Sequence, residues 1–421
     1  MLTKQSGNMV WRIYHMVHPY FFAHHHFHRR KIEALREAGI SASILAVVPE
    51  SLYQEHRTRY EDILAAGFTK ILHVPDISKT NRAVLLFLLK EALLNKGVLI
   101  HVLRTDPSPA IRLRQWPIIG RKLRYVLEYE GDMPFEFVYQ SAYLENPRPP
   151  IEPPPELRLA YEHLLHIQEY HAQKADGLVL MSQEQIKLWE KRLQRPLRAC
   201  WLPTLSESKK VYFDEQKRLE IRALMGISDR IAFIYTGNVI CKWQRLDAMC
   251  KFVAQLAKRI PRLWFIMLVR MDDLELAMEA IVRYGLDNQS TVLNVTSNEI
   301  LNYLSAADVA LFLRHVHPMN QVVTSGKLGE YLAAGLPIIT TGANTEILNG
   351  FIRDMQAGVF LHDSLPVDEH LIKELNDLLE RSNKTGWRAE LSQNTAKRFG
   401  GSNDPFHAYV PFIREVLSES A

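Results

Sequence analysis

Apolar positions along this chain follow two habits: short unbroken runs, and stripes spaced three or four residues apart. Runs of strand length occur at Val10–Val17, Ala42–Val48, Val98–Leu103 and Ala175–Ser182 in the first half. Others follow at Ile231–Thr236, Leu263–Leu268, Thr291–Val295, Val309–Leu313 and Leu336–Thr341. Helical stripes separate them. His28–Ala38 is one, with Gly39 as its stop, and Thr80–Lys96 is another, with Ala83, Leu86, Leu89 and Leu93 on one face. Glu156–Lys174, Lys217–Met225, Leu246–Arg259, Asp273–Tyr284, Val367–Phe399 and His407–Leu417 also read as helical. Thr296 and Glu299 have capping-box spacing and start a short helix that carries Ile300, Leu301 and Leu304 to Ala307. A helix over Gly326–Ala334 stops at Gly335, a left-handed cap, with Pro337 just beyond. Strand alternating with helix predicts parallel sheets, and the opening β-α-β is that of a Rossmann-like domain.

The 421 residues are enough for two or three domains. A hydrophobic content of 47% with 23% charged residues is that of an ordinary globular protein. A net charge of +4 does not argue for nucleic acid. Cys200, Cys241 and Cys250 have no metal-site spacing, and so few cysteines suit a reducing cytoplasm. Met1–Met9 is polar, so no signal peptide is expected, and no apolar run approaches the ~18 residues of a spanning helix. Asn146–Pro155 is an extended proline-rich spacer, read as a loop within the first domain, and Thr204–Lys209 is the linker to the second.

Candidate chemistry gathers at the start of the helix at Gly326. Lys327 and Glu330 share one face near its N-terminus. Free N–H groups there suit a phosphate, the lysine adds a second anion contact, and a glutamate one turn in suits sugar hydroxyls. The plainer alternative is a solvated Lys–Glu pair on a surface helix. Upstream, Gly237 lets backbone approach a phosphate closely, and Lys242 is either a point charge for it or a surface lysine after a turn.

The stretch S-G-K-L-G-E-Y-L-A-A-G-L-P-I-I from Ser325 resembles the donor-binding signature of GT-B glycosyltransferases, in particular the large retaining family 4. Y-T-G-N-V-I-C-K-W-Q-R-L-D (Tyr235–Asp247) resembles the glycine turn and lysine segment that faces the diphosphate from the other side. D-V-A-L-F-L-R (Asp308–Arg314) and Asn320 resemble a subgroup of bacterial surface-polysaccharide transferases. The similarity covers about Ile231–Gly358. It implies two Rossmann-like domains facing across a cleft: residues 1–203 for the acceptor, 204–400 for the nucleotide sugar, and a helix over 401–421 returning to the first. It implies a hexosyl-type transferase, working with retention from a nucleotide-diphosphate sugar and without a cofactor or metal. Lys242, Lys327 and Glu330 would carry the chemistry, the lysines on the leaving diphosphate and Glu330 on the ribose. Gly237, Asn238, Arg314, Asn320, Ser325, Gly326 and Leu328 would line the donor site. The chain departs from the family's E-x7-E: Val322 stands where the first acid, which contacts the donor sugar, is usual, and Asn320 is its candidate replacement.

The first domain is less explicit. Its first loop holds His18, His24, His25, His26 and His28 where glycines are usual. One or two of them contact substrate, with His18 foremost; or His24 and His28 hold a metal; or they have no chemical role. Strand ends in such sheets face the cleft, so His101, Arg104 and Asp106 are candidates, with His101 read more readily as a satisfied core histidine. Glu128, Gly131 and Glu136 resemble an element near the cleft, where Glu136 is either a general base or a helix N-terminal acid. His18, Arg104 and Glu136 are therefore the acceptor-side candidates. Ile111–Tyr125 mixes arginines with apolar residues. It is a solvated helix pair or a basic face, Arg112–Arg124, for peripheral membrane contact or a lipid pyrophosphate. The expected role is transfer to a glycan or lipid-linked acceptor in surface polysaccharide biosynthesis, in the cytoplasm or at the inner face of the membrane. A nucleotide-sugar epimerase and a non-catalytic partner subunit of a glycan synthase are the alternatives.

Overall fold

A computed structural model describes residues 10–21, 25–142, 150–203, 205, 213–400 and 405–418. His24 and the first four residues of the spacer, 146–149, lie outside them, as do the side chains of His25 and His26. The chain divides into two units. The first is Met1–Glu130, Leu165–Leu202 and Pro405–Ala421; the second is Gly131–Leu164 and Pro203–Asp404. Residues 131–164, read from sequence as part of the first domain, cluster with the second unit.

The first unit holds seven parallel strands: β1 (Trp11–Val17), β2 (Ser41–Pro49), β3 (Thr69–Val74), β4 (Gly97–Leu103), β5 (Leu123–Tyr129), β6 (Gly177–Leu180) and β7 (Ala199–Trp201). Their order is β3-β2-β1-β4-β5-β6-β7. β4 is buried along its whole length, as a strand covered on both faces must be. β3 was not read from the sequence. Its Thr69–Val74 segment is only half buried, so it lacks the unbroken apolar run of the central strands. The helix Phe406–Ser418 completes this unit. Tyr409, Phe412, Ile413 and Val416 join Ile32, Leu35 and Ile44 in one core cluster.

The second unit holds six parallel strands: β8 (Ile231–Thr236), β9 (Leu263–Leu268), β10 (Ser290–Leu293), β11 (Val309–Phe312), β12 (Ile338–Thr340) and β13 (Gly358–Phe360). Their order is β10-β9-β8-β11-β12-β13, the doubly wound pattern of a dinucleotide-binding fold. Glu299 accepts from the Thr296 N–H at 2.9 Å, the return bond of a capping box, and also from the Thr296 hydroxyl at 2.6 Å. Helix Gly326–Ala333 ends in a Schellman turn: Leu336 N–H donates to the Tyr331 carbonyl and Gly335 N–H to that of Leu332. Gly335 has φ +65°, and a Cβ there would lie 2.2 Å from the Arg388 carbonyl oxygen. Arg388, buried, donates to the carbonyls of Leu304, Ser305, Ala307, Ala334 and Gly335. It ties helix Trp387–Phe399 to the back of helix Gly326–Ala333.

Doubly wound sheets bind ligands beyond the strand C-termini, where the winding reverses. In the first unit that point lies between β1 and β4, and in the second between β8 and β11. His18 and Arg104 follow the first pair of strands; Gly237 and Arg314 follow the second.

The stretch Arg112–Arg124 does not form one basic face. Arg114 pairs with Asp176 at 2.9 Å. Lys122 donates to the carbonyls of Ala92 and Asn95. Arg124 is buried on β5, over the Trp11 ring. Only Arg112 and Arg121 of these cations are exposed. The stretch crosses a helix, a turn and a strand buried on both faces, so its cations point to different partners instead of sharing one face.

Candidate functional site

At the winding reversal of the second unit, β8 delivers Tyr235, Gly237 and Asn238. Gly237 has φ +110°, a conformation that side chains rarely adopt. A Cβ there would also meet Lys327 Cε at 2.7 Å and Nζ at 3.0 Å. The lysine side chain therefore crosses directly over this glycine. Its ammonium donates to the Tyr235 hydroxyl at 2.6 Å and to Gln244 Oε1 at 3.1 Å. It lies 4.1 Å from the centre of the Tyr235 ring, and the tyrosine hydroxyl in turn donates to the Asn238 carbonyl at 2.6 Å. Lys327 is thus held in place by neutral partners.

Lys327 emerges from the first turn of helix Gly326–Ala333, with Ser325 as N-cap. The Ser325 side chain makes no capping hydrogen bond, and first-turn amides have no partner inside the helix. The lysine remains partly accessible, yet protein atoms ring it. Burial, and then Arg314, drive its pKa well below that of a free lysine, and Arg270 acts in the same sense. Burial likewise lowers Arg314. The Arg314 guanidinium lies 4.9 Å from the Phe312 ring, and its buried Nε has no hydrogen-bond partner among the described residues. Glu330, one turn along from Lys327, is pushed by burial to about 7, against the pull of Lys327.

Two crowded cations at a helix N-terminus, with Arg270 also acting on Lys327, form a site where positive charge prevails over the pull of Glu330 on Lys327 and of Glu136 on Arg314. An anion seated there would relieve the repulsion and accept from the helix amides at the same time. Near neutrality Glu330 is poised between its two forms, and ligand hydroxyls would favour the carboxylate.

The other predicted residues sit as follows. Lys242 opens a turn over Lys242–Gln244, and its ammonium donates to the Gln140 carbonyl at 2.5 Å. Gln244, two residues on, is the one that reaches Lys327. Leu328 is fully buried in the core, so its side chain offers no ligand contact. Asn320 is buried and donates to the His315 carbonyl at 2.9 Å, while its Oδ1 has no partner among the described residues. Val322 caps the short helix Pro318–Gln321. Glu136 lies in the first turn of helix Met133–Ala142 and packs over Gly131, where a Cβ would fall 1.9 Å from its Oε1. Its charge is felt at Arg314 and at Cys241.

Sequence reasoning missed four participants. Arg270 comes two residues past β9, where the strand-end rule applied to Arg104 would have found it. Gln244 and Tyr235 stood inside a quoted motif without a role. Asp363 also went unread: it accepts from His315 at 2.8 Å and from Arg245 at 2.9 Å, which braces the loop that follows Arg314.

In the first unit His18 accepts from the Tyr20 N–H at 3.0 Å. Burial, then Arg104, lowers its pKa, so these two candidates lie together at the reversal point. Arg104 adopts φ +52° and pairs with Glu130 at 2.9 Å. His101 is a core residue, fully buried and bonded to the Tyr409 hydroxyl at 2.7 Å. Asp106 is exposed and accepts from Asn81 and Ser108.

The proposed metal pair takes a different form. His24 lies outside the described residues, and His28 Nδ1 bonds His15 Nε2 at 2.9 Å. His15, His101 and Glu128 do come within metal-binding reach of one another. The Lys31 ammonium, however, sits on the same Glu128 oxygen that faces His101. Against burial, Lys31 and His101 hold Glu128 at about 2. Lys31 already supplies the positive charge that a metal would bring, so this cluster compensates itself.

No protein-family model and no curated protein matches this sequence. Solved structures do match. Sucrose-phosphate synthase from Thermosynechococcus elongatus superposes with a TM-score of 0.67 over 97% of this chain and 99% of its own, at 14% identity. Anabaena Alr3699/HepE in complex with UDP-glucose gives 0.64 over 98% and 100%, at 12% identity. A variant of TarM from S. aureus, solved with fondaparinux, alpha-GlcNAc-glycerol and UDP, gives 0.63 over 97% and 100%, at 8% identity. Likeness at these identities shows the fold: two parallel-sheet Rossmann-like units of seven and six strands, the GT-B architecture.

Proposed function

We propose that this chain is a glycosyltransferase that takes a hexosyl group from a nucleotide-diphosphate sugar. The observation that carries the reading is the crowding of Lys327, Arg314 and Arg270 at one helix N-terminus, with Glu330 a turn away. The helix amides and the cations would hold the diphosphate. Glu330 would accept from the ribose hydroxyls. In the transfer, the bond from the anomeric carbon to the β-phosphate oxygen breaks and a bond to the acceptor hydroxyl oxygen forms. The acceptor proton leaves to the departing diphosphate or to solvent, and negative charge grows on that diphosphate, where the cations stabilise it. That arrangement supplies positive charge without calling on a metal. Because HepE and TarM were solved with uridine nucleotides, UDP is the first nucleotide to try. Retention, membership of family 4, a glycan or lipid-linked acceptor near His18 and Arg104, surface polysaccharide biosynthesis and work at the inner face of a membrane complete the reading. They rest on the motif resemblance.

The test is a thermal-shift panel of UDP, GDP, CMP and dTDP, with and without magnesium. A ligand that binds only the folded state raises the melting temperature. A metal-independent rise with one diphosphate, absent in Lys327→Met, supports the reading. A full response in that variant refutes it. Val322 in place of the usual acid favours one second reading, a non-catalytic partner subunit; it predicts no response to any nucleotide.

A further inference from the structure

We infer that a surface of the first unit, formed by helix Thr80–Leu94 and the turn of helix Pro117–Gly120, docks on an anionic lipid bilayer. This deepens the membrane-side reading above and narrows the contact within Arg112–Arg124 to its exposed Trp116, Ile118 and Arg121, joined to helix Thr80–Leu94, because Arg114, Lys122 and Arg124 are committed inside the protein.

Helix Thr80–Leu94 buries Val84, Leu88 and Ala92 against the sheet. The opposite face should then be polar. It is not: Leu86 and Leu93 are exposed there, at 54% and 60%, with Leu94 beside them. Arg82 and Lys90, each four residues from Leu86, share that face and are also exposed. The next surface element continues the pattern. Trp116 and Ile118 are exposed at 49% and 76%, followed by exposed Arg121. The two elements adjoin, because Lys122 just after the second donates to Ala92 and Asn95 at the end of the first.

Charge selects the partner. From Ile77 to Lys122 there are nine lysines and arginines but only two acids, Glu91 and Asp106, in a chain whose whole count is 51 to 47. Glu91 is turned to Tyr14, whose hydroxyl donates to it at 2.7 Å, and Asp106 is held by Asn81 and Ser108. A tryptophan and aliphatic side chains ringed by cations match an interface where acyl chains lie beneath anionic headgroups. The Trp116 ring and Ile118 enter the acyl boundary, and Arg82, Lys90 and Arg121 meet lipid phosphates. Among the described residues no helix is long and apolar enough to cross a membrane, so the contact is peripheral.

The experiment is flotation of the full chain with phosphatidylglycerol/phosphatidylcholine vesicles against pure phosphatidylcholine. Binding is expected only to the anionic vesicles and should weaken with salt. Trp116→Gln/Ile118→Gln should lower partitioning at least about tenfold. Lys90→Gln and Arg121→Gln should each cost about fivefold. All of these residues are exposed, so the variants should melt like the wild type. The thermal shift with whichever nucleotide of the panel binds, in the recess of the second unit, should persist in every variant; no shift with any of them in the wild type would refute the donor reading and leave the lipid result standing. Three outcomes overturn the docking proposal: no binding to anionic vesicles, equal binding by the Trp116/Ile118 variant, or a self-associating chain that this variant turns monomeric.

Discussion

Glu330→Gln should make the protein more stable and less able to bind its nucleotide. Burial holds the Glu330 carboxyl at about 7 instead of the ordinary 4.5. Ionising it in the folded protein therefore costs about 3 kcal/mol, at about 1.4 kcal/mol for each tenfold change in proton affinity. The sign follows from proton counting. Between 4.5 and 7 the folded state keeps a proton that the unfolded state has lost, so stability falls as pH rises through this window and levels off above it. Glutamine mimics the protonated form. At pH 5, near the bottom of this window, the variant should melt only slightly higher than the wild type. At pH 8 the variant should melt higher by several degrees, since each kcal/mol moves the midpoint of a unit this size by about 2–4 °C. Thermal melts from pH 4.5 to 9 measure this directly. Binding should move the other way, because glutamine offers a weaker acceptor to sugar hydroxyls. A variant destabilised at pH 8, or shifted equally at pH 5 and pH 8, would refute the account of the site as strained around this carboxyl.

Four further outcomes follow from the same geometry. Lys327→Met should weaken diphosphate binding about 10- to 100-fold, the loss of one charge-assisted hydrogen bond, measured by isothermal calorimetry. Gly237→Ala should destabilise by about 1–3 kcal/mol through its left-handed backbone, and should also displace Lys327, so that both the melting point and the nucleotide affinity drop. Asp363→Asn should lower nucleotide affinity less than Lys327→Met does, since it loosens only His315 and Arg245 beside the site. Glu128→Gln leaves the Lys31 ammonium buried without its counter-ion and should cost about 3–5 kcal/mol, read by chemical denaturation; Lys31→Met/Glu128→Gln should recover much of that loss.

The fold was legible where one signal dominated. Unbroken apolar runs such as Val98–Leu103 announced central strands, and the Gly335–Leu336–Pro337 turn announced a helix stop. The donor recess was legible because a helix start, a lysine and a glutamate fall within six residues. What was not legible depends on contacts distant in sequence. Lys31 looks like a surface lysine of an amphipathic helix until Glu128, 97 residues away, closes on it. Lys242 and Gln244 both follow the same glycine turn, and local spacing does not say which of them turns toward Lys327. Residues 131–164 follow the first sheet in the chain yet pack with the second unit, a choice made by contacts such as the pairing of Lys242 with Gln140.

The helix Phe406–Ser418 has a consequence for how the protein is made. Its Phe406, Tyr409, Phe412, Ile413 and Val416 are buried in the core of the first unit, and Tyr409 closes on His101. A ribosome delivers β1 first and this helix hundreds of residues later. During all that time the apolar side chains of Phe27, Ile32 and Cys200, which share a core cluster with this helix, stay uncovered by it, whereas the six strands of the second unit are complete once β13 has emerged. Domains tend to fold as units during synthesis. Here the unit begun first is finished last, and the nascent chain carries an open apolar wall that a chaperone would be expected to cover.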